Sequence, residues 1–369
     1  MLASSFLSVL VAGSLIGLST QTCHKDEDCS LNGLCKGRKL RTSGYNHTHE
    51  SVSSWCGSIV RDPKDPKLHH MFFSLFANHC PLKSWMPFST IAHATSRTGP
   101  AGPYESPAQV VGTFAHNPTV IWSPADKEYL MYHIGCPQPA PDVCGPTKFT
   151  CGAPDGQSGI TVRSSRDLAT WTNRGMVFNG TYDKTVWDRT ATNPSAWPLY
   201  SSKNKTHAIL LAYRGNSLNA TNFSSGNIAV SSHGFEGPYT RIQKNSLMPV
   251  RFEDPFLWQD KRGNYHMLVH AQQDGNGGTP GVKQTGRHAY ARDYHGPWTY
   301  GNRTLAYGAL VNFTDGTSIN YGRRERPQLL FSEDGNMVPL FMTNGVQEKG
   351  TNMSYTIVSP IGDAGAKLQ

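Results

Sequence analysis

Short apolar segments alternate with polar, turn-rich segments from about residue 53 onward, and the same order of segments recurs five times. Each copy contains three apolar segments separated by turns. Short runs rich in Val, Ile, Tyr and Phe that are bounded by Gly, Pro, Asn and Asp predict β-strands. The first strands of the five copies are WCGSIV (55–60), HNPTVIW (116–122), TNPSAWP (192–198), EDPFLW (253–258) and ERPQLLF (325–331).

The second and third strands follow in the same order in every copy. The second strands are HHMFFSLF (69–76), EYLMYHIG (128–135), HAILLAYRG (207–215), YHMLVHA (265–271) and MVPLFMTNG (337–345). The third strands are IAHATS (91–96), ITVRSS (160–165), IAVSSH (228–233), HAYARD (288–293) and YTIVSP (355–360). Three copies then run into a Gly-Pro-aromatic turn, at residues 102–104, 237–239 and 296–298.

Prolines near the starts of the first strands give the period of the repeat. Asn117, Asn193, Asp254 and Arg326 each precede a proline at intervals of 76, 61 and 72 residues, and in the first copy the matching position is Gly57. A period of this size with three or four strands per unit is typical of β-propeller blades. A two-sheet sandwich would not repeat one ordered phrase five times. The sequence therefore predicts an all-β fold, a five-bladed β-propeller whose innermost strands bring the residues before the prolines to one pocket.

The chain before the repeats divides into two parts. Residues 1–20 are apolar and end in small side chains, which predicts a secretory signal peptide. Residues 21–54 contain the phrase CHKDEDCSLNGLC, which resembles the first half of an EGF-like module. We therefore predict a short disulfide-tied segment there, and a propeller over residues 55–369.

The cysteines and glycosylation signals fit a secreted, extracellular protein. All eight cysteines fall in the first 151 residues, and disulfides are the default in that compartment. We expect Cys56 to pair with Cys80, and Cys136, Cys144 and Cys151 to tie one long loop. Eight Asn-x-Ser/Thr sequons are present, and they begin at Asn46, Asn179, Asn204, Asn219, Asn222, Asn302, Asn312 and Asn352.

Charge narrows the class of partner. The chain carries a net charge of +8, and its isoelectric point is near 9.0. The basic residues are scattered rather than clustered, which argues against nucleic acid as a partner. A carbohydrate is favoured instead, and the positive charge favours one that carries acidic groups, either carboxylates or sulfates. No later apolar stretch replaces the first twenty residues as a membrane span, and we expect a monomer.

The first-strand phrases, the Asx-Pro starts and the Gly-Pro-Tyr/Trp turns resemble glycoside hydrolase family 43 and its relatives, the arabinanase, levansucrase and invertase superfamily. The resemblance covers about residues 55–360. In that family an inner-strand Asp is the general base, a second Asp orients or tunes the acid, and a Glu is the general acid of an inverting hydrolysis. The resemblance implies a glycoside hydrolase acting on a plant, algal or other extracellular polysaccharide or oligosaccharide.

The sequence departs from the family pattern at the base. Gly57 stands where the family has its base Asp, and the next two copies have asparagine, which does not take a proton from water. Counting blades places the family's acid at Glu253 or Asp254. Matching only the Asx-Pro marks makes Asn117 the base, Asp254 the tuner and Glu325 the acid.

The candidate catalytic residues are Glu253, Asp254 and Glu325. Adjacent residues of a strand face opposite sides, so only one of Glu253 and Asp254 is expected to face the substrate. Histidines at the pocket offer a base near neutral pH, and arginines would hold a carboxylated or sulfated sugar. The candidate substrate-binding residues are His116, Asn117, His133, Asn193, Arg214, His270, Arg324 and Arg326.

Two alternatives to a hydrolase remain open. One is a polysaccharide lyase with a histidine base that acts on an acidic polysaccharide. The other is a catalytically inactive carbohydrate-binding or adhesive propeller, which the EGF-like start would suit. The resemblance allows a Ca2+ ion in the channel, but no ligand pattern in the sequence specifies a metal, so no cofactor is predicted.

Overall fold

The computed structural model of the chain describes residues 44–145, 151, 159–204, 206–217, 224–272, 286–301, 304–313 and 317–368. The predicted signal peptide and the EGF-like cysteines lie outside these ranges. Within them the chain forms five antiparallel four-stranded sheets and one separate hairpin. The innermost strands of successive sheets contact one another in a closed ring. The predicted all-β, five-bladed propeller is confirmed.

The strands follow the predicted phrases. The first strands in chain order are β1 (Gly44–Tyr45), β2 (Ser54–Arg61), β3 (His69–Phe76), β4 (Ser89–Ser96), β5 (Glu105–Val111), β6 (His116–Ser123), β7 (Glu128–Ile134), β8 (Ile160–Ser165) and β9 (Thr172–Phe178). The next are β10 (Thr192–Ser201), β11 (Thr206–Asn216), β12 (Ser224–Ser231), β13 (Thr240–Arg241), β14 (Phe252–Gln259), β15 (Tyr265–Ala271), β16 (Gly286–Ala291) and β17 (Thr299–Tyr300). The last are β18 (Leu310–Asn312), β19 (Ser318–Asn320), β20 (Arg323–Phe331), β21 (Pro339–Gln347) and β22 (Tyr355–Pro360).

Within the described ranges, helical structure is confined to short segments. Three are single 3₁₀ turns, at Thr48–Glu50, Ala77–His79 and Leu82–Ser84. Two are short α-helices, α1 (Trp85–Phe88) and α2 (Gly362–Ala366). Among the described residues there is no helix of the length and apolar character that crossing a bilayer requires.

Blades 1 to 4 are built from β2–β5, β6–β9, β10–β13 and β14–β17, each in simple order from the inside outward. Blade 5 differs, because β20, β21 and β22 are followed on the outside by β1 from the start of the described chain. Gly44 pairs with Ile357 there at a φ of +105°, and a Cβ atom at this position would collide with the backbone of Thr356. The propeller therefore includes residues from 44 on, eleven before the boundary predicted at residue 55.

The core lies between the blades. Leu130 and Tyr132 of β7 pack against Ile209 and Leu211 of β11, and equivalent apolar layers separate the other neighbouring blades. All four of these side chains are fully buried. Burial of each such side chain contributes about 1.5–3 kcal/mol. The rigid ring that results fixes where each inner strand begins.

Every inner strand carries the same β-bulge near its start. The pairing of each inner strand with its neighbour slips by one residue there, for example between Glu253 and Phe256. One residue of each bulge adopts a left-handed backbone conformation with a φ of 55–59°; these residues are Cys56, Asn117, Asn193, Asp254 and Arg326. The comparison of the five repeat copies placed Gly57 at this position in blade 1, which is wrong by one residue. Gly57 stands where the other four copies have proline, and Cys56 is the equivalent of Asp254.

Of the two disulfides among the described residues, one connects blades 1 and 2 and the other closes a loop of blade 2. Cys136 pairs with Cys151 across the loop between β7 and β8, and Cys144 of that loop pairs with Cys80, just beyond β3. The prediction that the three loop cysteines form cross-links is confirmed. The predicted Cys56–Cys80 pair is wrong, because the bulge holds Cys56 as a free, fully buried thiol against the Ser74 hydroxyl.

Candidate active site

A cavity of about 390 Å³ opens at the end of the propeller where the inner strands begin. Blades 3, 4 and 5 supply most of its polar wall, and the segment between β3 and β4 closes one side. Its lining residues are Trp55, Leu82, Lys83, Trp85, His116, Thr190, Thr192, Asn193, Arg214, Asn216, Glu253, Asp254, Arg323, Glu325, Arg326, Gln347, Thr351 and Asn352.

Glu253 and Asp254 both line this cavity, although the alternation of a regular strand would point them to opposite sides. The bulge explains the difference. Asp254 is the left-handed residue of β14, so its side chain turns back toward the side on which Glu253 lies. The alternation argument, which put the two side chains on opposite sides of the strand, is therefore wrong here, since both acids line the cavity.

Asp254 is held rigidly by the bulges of the neighbouring blades. The Asn193 amide donates a hydrogen bond of 3.0 Å to one carboxylate oxygen, and the Arg326 backbone N–H donates one of 3.1 Å to the other. The Arg326 guanidinium lies 3.0 Å from the first oxygen. Burial raises the pKa of Asp254 above its ordinary value, although Arg326 opposes that shift. Only 1% of this side chain is exposed, and both of its oxygens are engaged by Asn193 and Arg326.

Glu253 is the most strongly ionised acid of the cavity. Arg214 Nε lies 3.2 Å from one of its oxygens, and His270 Nδ1 lies 3.4 Å from the other. Burial raises the pKa of Glu253, but His270, Arg214 and Arg326 outweigh burial and hold the pKa well below its ordinary value. Glu253 is therefore a carboxylate throughout the physiological pH range, and with 19% of its side chain exposed it is open to a ligand.

Glu325 has the opposite character. Its nearest cations are Arg323, with a contact of 3.4 Å, and His270 Nε2, at 4.0 Å. Burial raises the pKa of Glu325, and the neighbouring Glu253 and Asp254 raise it further, while His270 and Arg323 act in the other direction. Two acids of one cavity thus have pKa values shifted in opposite directions.

His270 lies beneath all three acids. Its ring nitrogens lie 3.4 Å from Glu253, 3.9 Å from Asp254 and 4.0 Å from Glu325, and neither forms an aligned hydrogen bond with a described residue. Burial lowers the pKa of His270, but Glu325 and the other two acids raise it to about 9. At neutral pH this imidazole is a buried cation.

The same four residues form the one cluster of potential metal ligands found in the described part of the chain. One ligand atom from each of Glu253, Asp254, His270 and Glu325 lies within 4.8 Å of the others. Hard divalent cations prefer such carboxylate oxygens. However, each acid already pairs with an arginine, and His270 carries a proton, so the protein itself supplies the positive charge. A metal ion at this position would compete with those ion pairs.

Blade 2 contributes His116 to the cavity wall. His116 Nδ1 lies 2.7 Å from the Ser89 hydroxyl, and its ring packs 4.8 Å from the Trp85 ring. Asn117 lies behind the wall with its amide between His116 Nε2 and the Arg326 guanidinium. Burial, with a further contribution from Arg326, holds the pKa of His116 well below its ordinary value. His116 is therefore neutral.

Two predicted site residues lie away from the cavity. His133 is fully buried, with Nδ1 3.0 Å from the Ile134 carbonyl and Nε2 3.4 Å from Arg163. Arg324 donates to the Asn344 side chain at 2.9 Å and packs over Tyr307. Arg324 precedes the bulge, so ordinary alternation places it on the face opposite Glu325.

Sequence reasoning missed Lys83, Trp85 and Arg323. Lys83 and Trp85 belong to the segment at residues 77–88 that joins β3 to β4, and no pattern in the sequence marked this segment as part of the site. Arg323 lies two residues before Glu325, and the period of a strand places such residues on one face. The rim also includes Asn352, the start of one predicted sequon.

No family model matches the sequence, and no curated protein matches it either. Solved structures do share the fold. A family 117 glycoside hydrolase from the marine bacterium Zobellia galactanivorans is 15% identical, with a TM-score of 0.58 over 89% of this chain and 90% of that one. A thermostable family-43 glycoside hydrolase is 11% identical, with a TM-score of 0.55 over 89% and 94%. An α-L-arabinofuranosidase from Podospora anserina, solved with cellotriose, is 10% identical, with a TM-score of 0.52 over 88% and 95%.

These likenesses establish the fold, which is the five-bladed propeller of the glycoside hydrolases that the sequence resembles. The identities are too low to carry an activity from those proteins to this one. The EGF-like segment stays a prediction, because its cysteines lie outside the described residues.

Proposed function

We propose that the protein is a secreted glycoside hydrolase that cleaves an extracellular polysaccharide or oligosaccharide in this cavity. The observation that carries the proposal is the pair Glu253 and Glu325, two cavity-lining carboxyl groups whose surroundings shift their pKa values in opposite directions. Such a pair is how one enzyme keeps an acid and a carboxylate side by side at one pH. The glycosidase fold of the chain agrees with it.

Glu325 is the proposed general acid. Burial and the neighbouring Glu253 and Asp254 raise its pKa and so favour the protonated form, and it lies on the cavity wall. During cleavage Glu325 gives this proton to the glycosidic oxygen as the bond to the anomeric carbon breaks. The leaving sugar departs as a neutral alcohol.

Glu253 is the proposed partner carboxylate. Its ligand oxygen lies within 4.8 Å of that of Glu325. Retaining glycosidases hold their two carboxyl groups about 5–5.5 Å apart, whereas inverting ones leave about 6.5–9.5 Å for a water. We therefore propose that Glu253 attacks the anomeric carbon to form a glycosyl ester. Water then hydrolyses the ester while Glu325, now ionised, takes the proton of that water.

A histidine-based lyase has less support. The cavity-lining histidine is His116, and burial with the nearby Arg326 makes it a weak base. Proton abstraction next to a carboxylate needs a base whose pKa lies near the working pH. An inactive carbohydrate-binding propeller remains the outcome in which glycans bind without turnover.

The proposal is tested by incubating the purified protein with a panel of extracellular polysaccharides and following new reducing ends. Glu325→Gln and Glu253→Gln should each lower turnover by about 10²–10⁴-fold. Glu105→Gln is the matched control, because Glu105 is exposed on β5 outside the cavity. Full turnover by both cavity variants would overturn the assignment, and products that absorb as unsaturated uronides would favour the lyase.

A further inference from the structure

The cavity wall carries more positive than negative groups. Its cationic side chains are Lys83, Arg214, Arg323 and Arg326, and its acids are Glu253, Asp254 and Glu325. Protonated His270 lies directly beneath them and adds a further positive charge. Low-dielectric walls of one net sign concentrate ligands of the opposite sign.

Two of the four cations are committed to the protein. Arg214 pairs with Glu253 and also donates a 2.8 Å hydrogen bond to Ser224. Arg326 pairs with Asp254 and contacts the Asn117 amide. Their side chains are 23% and 13% exposed. These two arginines hold the acids in place.

The other two cations are open to a ligand. Lys83 is exposed and forms no ion pair with any acid in the described part of the chain. The Arg323 side chain is 53% exposed, and its ion pair is the 3.4 Å contact with Glu325. Most of the Arg323 hydrogen-bonding capacity therefore remains available.

Lys83 and Arg323 lie on one continuous wall. Arg323 is paired in register with Gln347 at the end of β21. The loop that follows reaches blade 1, where the Leu82 N–H donates a 3.2 Å hydrogen bond to the Asn352 carbonyl. Gln347, Thr351 and Asn352 line the same cavity as these two cations. Amides, a hydroxyl and two charges thus line this part of the cavity.

We propose that the substrate carries a negatively charged substituent, a carboxylate or a sulfate ester, and that Lys83 and Arg323 bind it. A neutral sugar would leave two cations uncompensated as it displaced their water, whereas an anion pairs with both. The guanidinium fork of Arg323 suits either anion, and Lys83 supplies a point charge. This inference rests on the proposed function, since it names the substrate class of the same cavity.

The test compares charged glycans with their neutral counterparts. Affinity electrophoresis and calorimetry are run on protein freed of Asn-linked glycans, because Asn352 borders the wall. One pair of probes is a sulfated galactan and its desulfated form, and the other is oligogalacturonate and its carboxyl-reduced form. We expect one charged member to bind at least about tenfold more tightly than its neutral form, which corresponds to one charged hydrogen bond. The pair that shows this preference identifies the anion.

Substitutions show which side chains cause the preference for charged glycans. Lys83→Gln/Arg323→Gln should reduce the charged-to-neutral affinity ratio to about threefold or less, and the remaining preference should respond less to added salt. The control Lys203→Gln/Arg292→Gln removes two exposed charges outside the cavity and should leave the ratio unchanged. Equal binding of charged and neutral probes, or an equal loss of preference in the control, would overturn the proposal.

The outcome separates this inference from the hydrolase proposal. Preferential binding of a charged glycan without cleavage of any glycan would retain the anion site and overturn the hydrolase. Cleavage of neutral glycans without a charge preference would do the reverse.

Discussion

His270 Nδ1 lies 3.4 Å from a carboxylate oxygen of Glu253, inside a cluster where the imidazole is 1% exposed. The two groups stabilise each other's charged forms, since the pKa of Glu253 is lowered and that of His270 is raised to about 9. His270 is also the shared cation of Asp254 and Glu325. The charge state of the whole site therefore depends on this histidine.

Replacing His270 should destabilise the protein. His270→Gln removes a buried cation and leaves three acids with less compensation, which costs about 3–5 kcal/mol when one partner of a buried pair is lost. Chemical denaturation followed by tryptophan fluorescence measures the change. His295→Gln is the control, because His295 is exposed beside Asp293, and it should change stability by less than about 0.5 kcal/mol.

The same histidine makes stability depend on alkaline pH. The folded pKa of about 9 lies above the ordinary value of 6.5, so the stabilisation is fully present below pH 6.5. It is lost as pH rises through the folded pKa, because the proton leaves. Denaturation midpoints measured from pH 6 to pH 10 should fall in the native protein and fall less in His270→Gln. Parallel pH profiles of the two proteins would contradict this role.

Substitutions of Asn193 test whether its left-handed backbone conformation in the bulge is strained. Its side chain bonds to Asp254, and its φ of 57° strains any residue other than glycine, with Asn tolerated best. Both Asn193→Gly and Asn193→Ala lose the hydrogen bond, but only the alanine keeps a Cβ in left-handed backbone, at a cost of about 1–2 kcal/mol that exceeds the added unfolded-state entropy of glycine, about 0.5–1 kcal/mol. We expect the alanine variant to be less stable than the glycine variant by the difference between these two costs. Equal stability would show that the backbone strain is absent.

The stereochemistry of cleavage tests the role proposed for Glu253. The proposed attack of Glu253 on the anomeric carbon predicts retention of the anomeric configuration. Proton NMR of the first product, recorded before mutarotation, distinguishes the two anomers. Initial release of the inverted anomer would show that another group activates water across the cavity, as in the family that the sequence resembles.

Much of the fold was predictable because the blades repeat. The phrases at residues 69–76 and 265–271 have the bounds of β3 and β15, and proline marks four of the five inner-strand bulges. The first copy was misaligned because it has Gly57 in place of proline. A search that accepted glycine as well as proline at that point would have identified Cys56 as the bulge residue of blade 1.

The site was harder to predict because the bulge breaks the rule used to read it. Period-two alternation holds for Arg324, which points away, but fails for Glu253 and Asp254, which share the cavity. The part of the wall formed by Lys83 and Trp85 depends on the segment at residues 77–88, and no local sequence pattern specifies the course of that segment. Cys80 and Cys144 are 64 residues apart in the sequence. Their pairing could not be predicted without knowing how blades 1 and 2 pack together.

The role of Glu325 is tested most directly by changing the leaving group. Protonation is needed for a sugar leaving group but not for dinitrophenolate, so the loss of a general acid is selective. Glu325→Gln should lower kcat/KM by about 10²–10⁴-fold on the natural glycan and by less than about tenfold on the dinitrophenyl glycoside of the released sugar. An equal loss on both substrates, or no loss on the glycan, would contradict the assignment of Glu325 as the acid of this cavity.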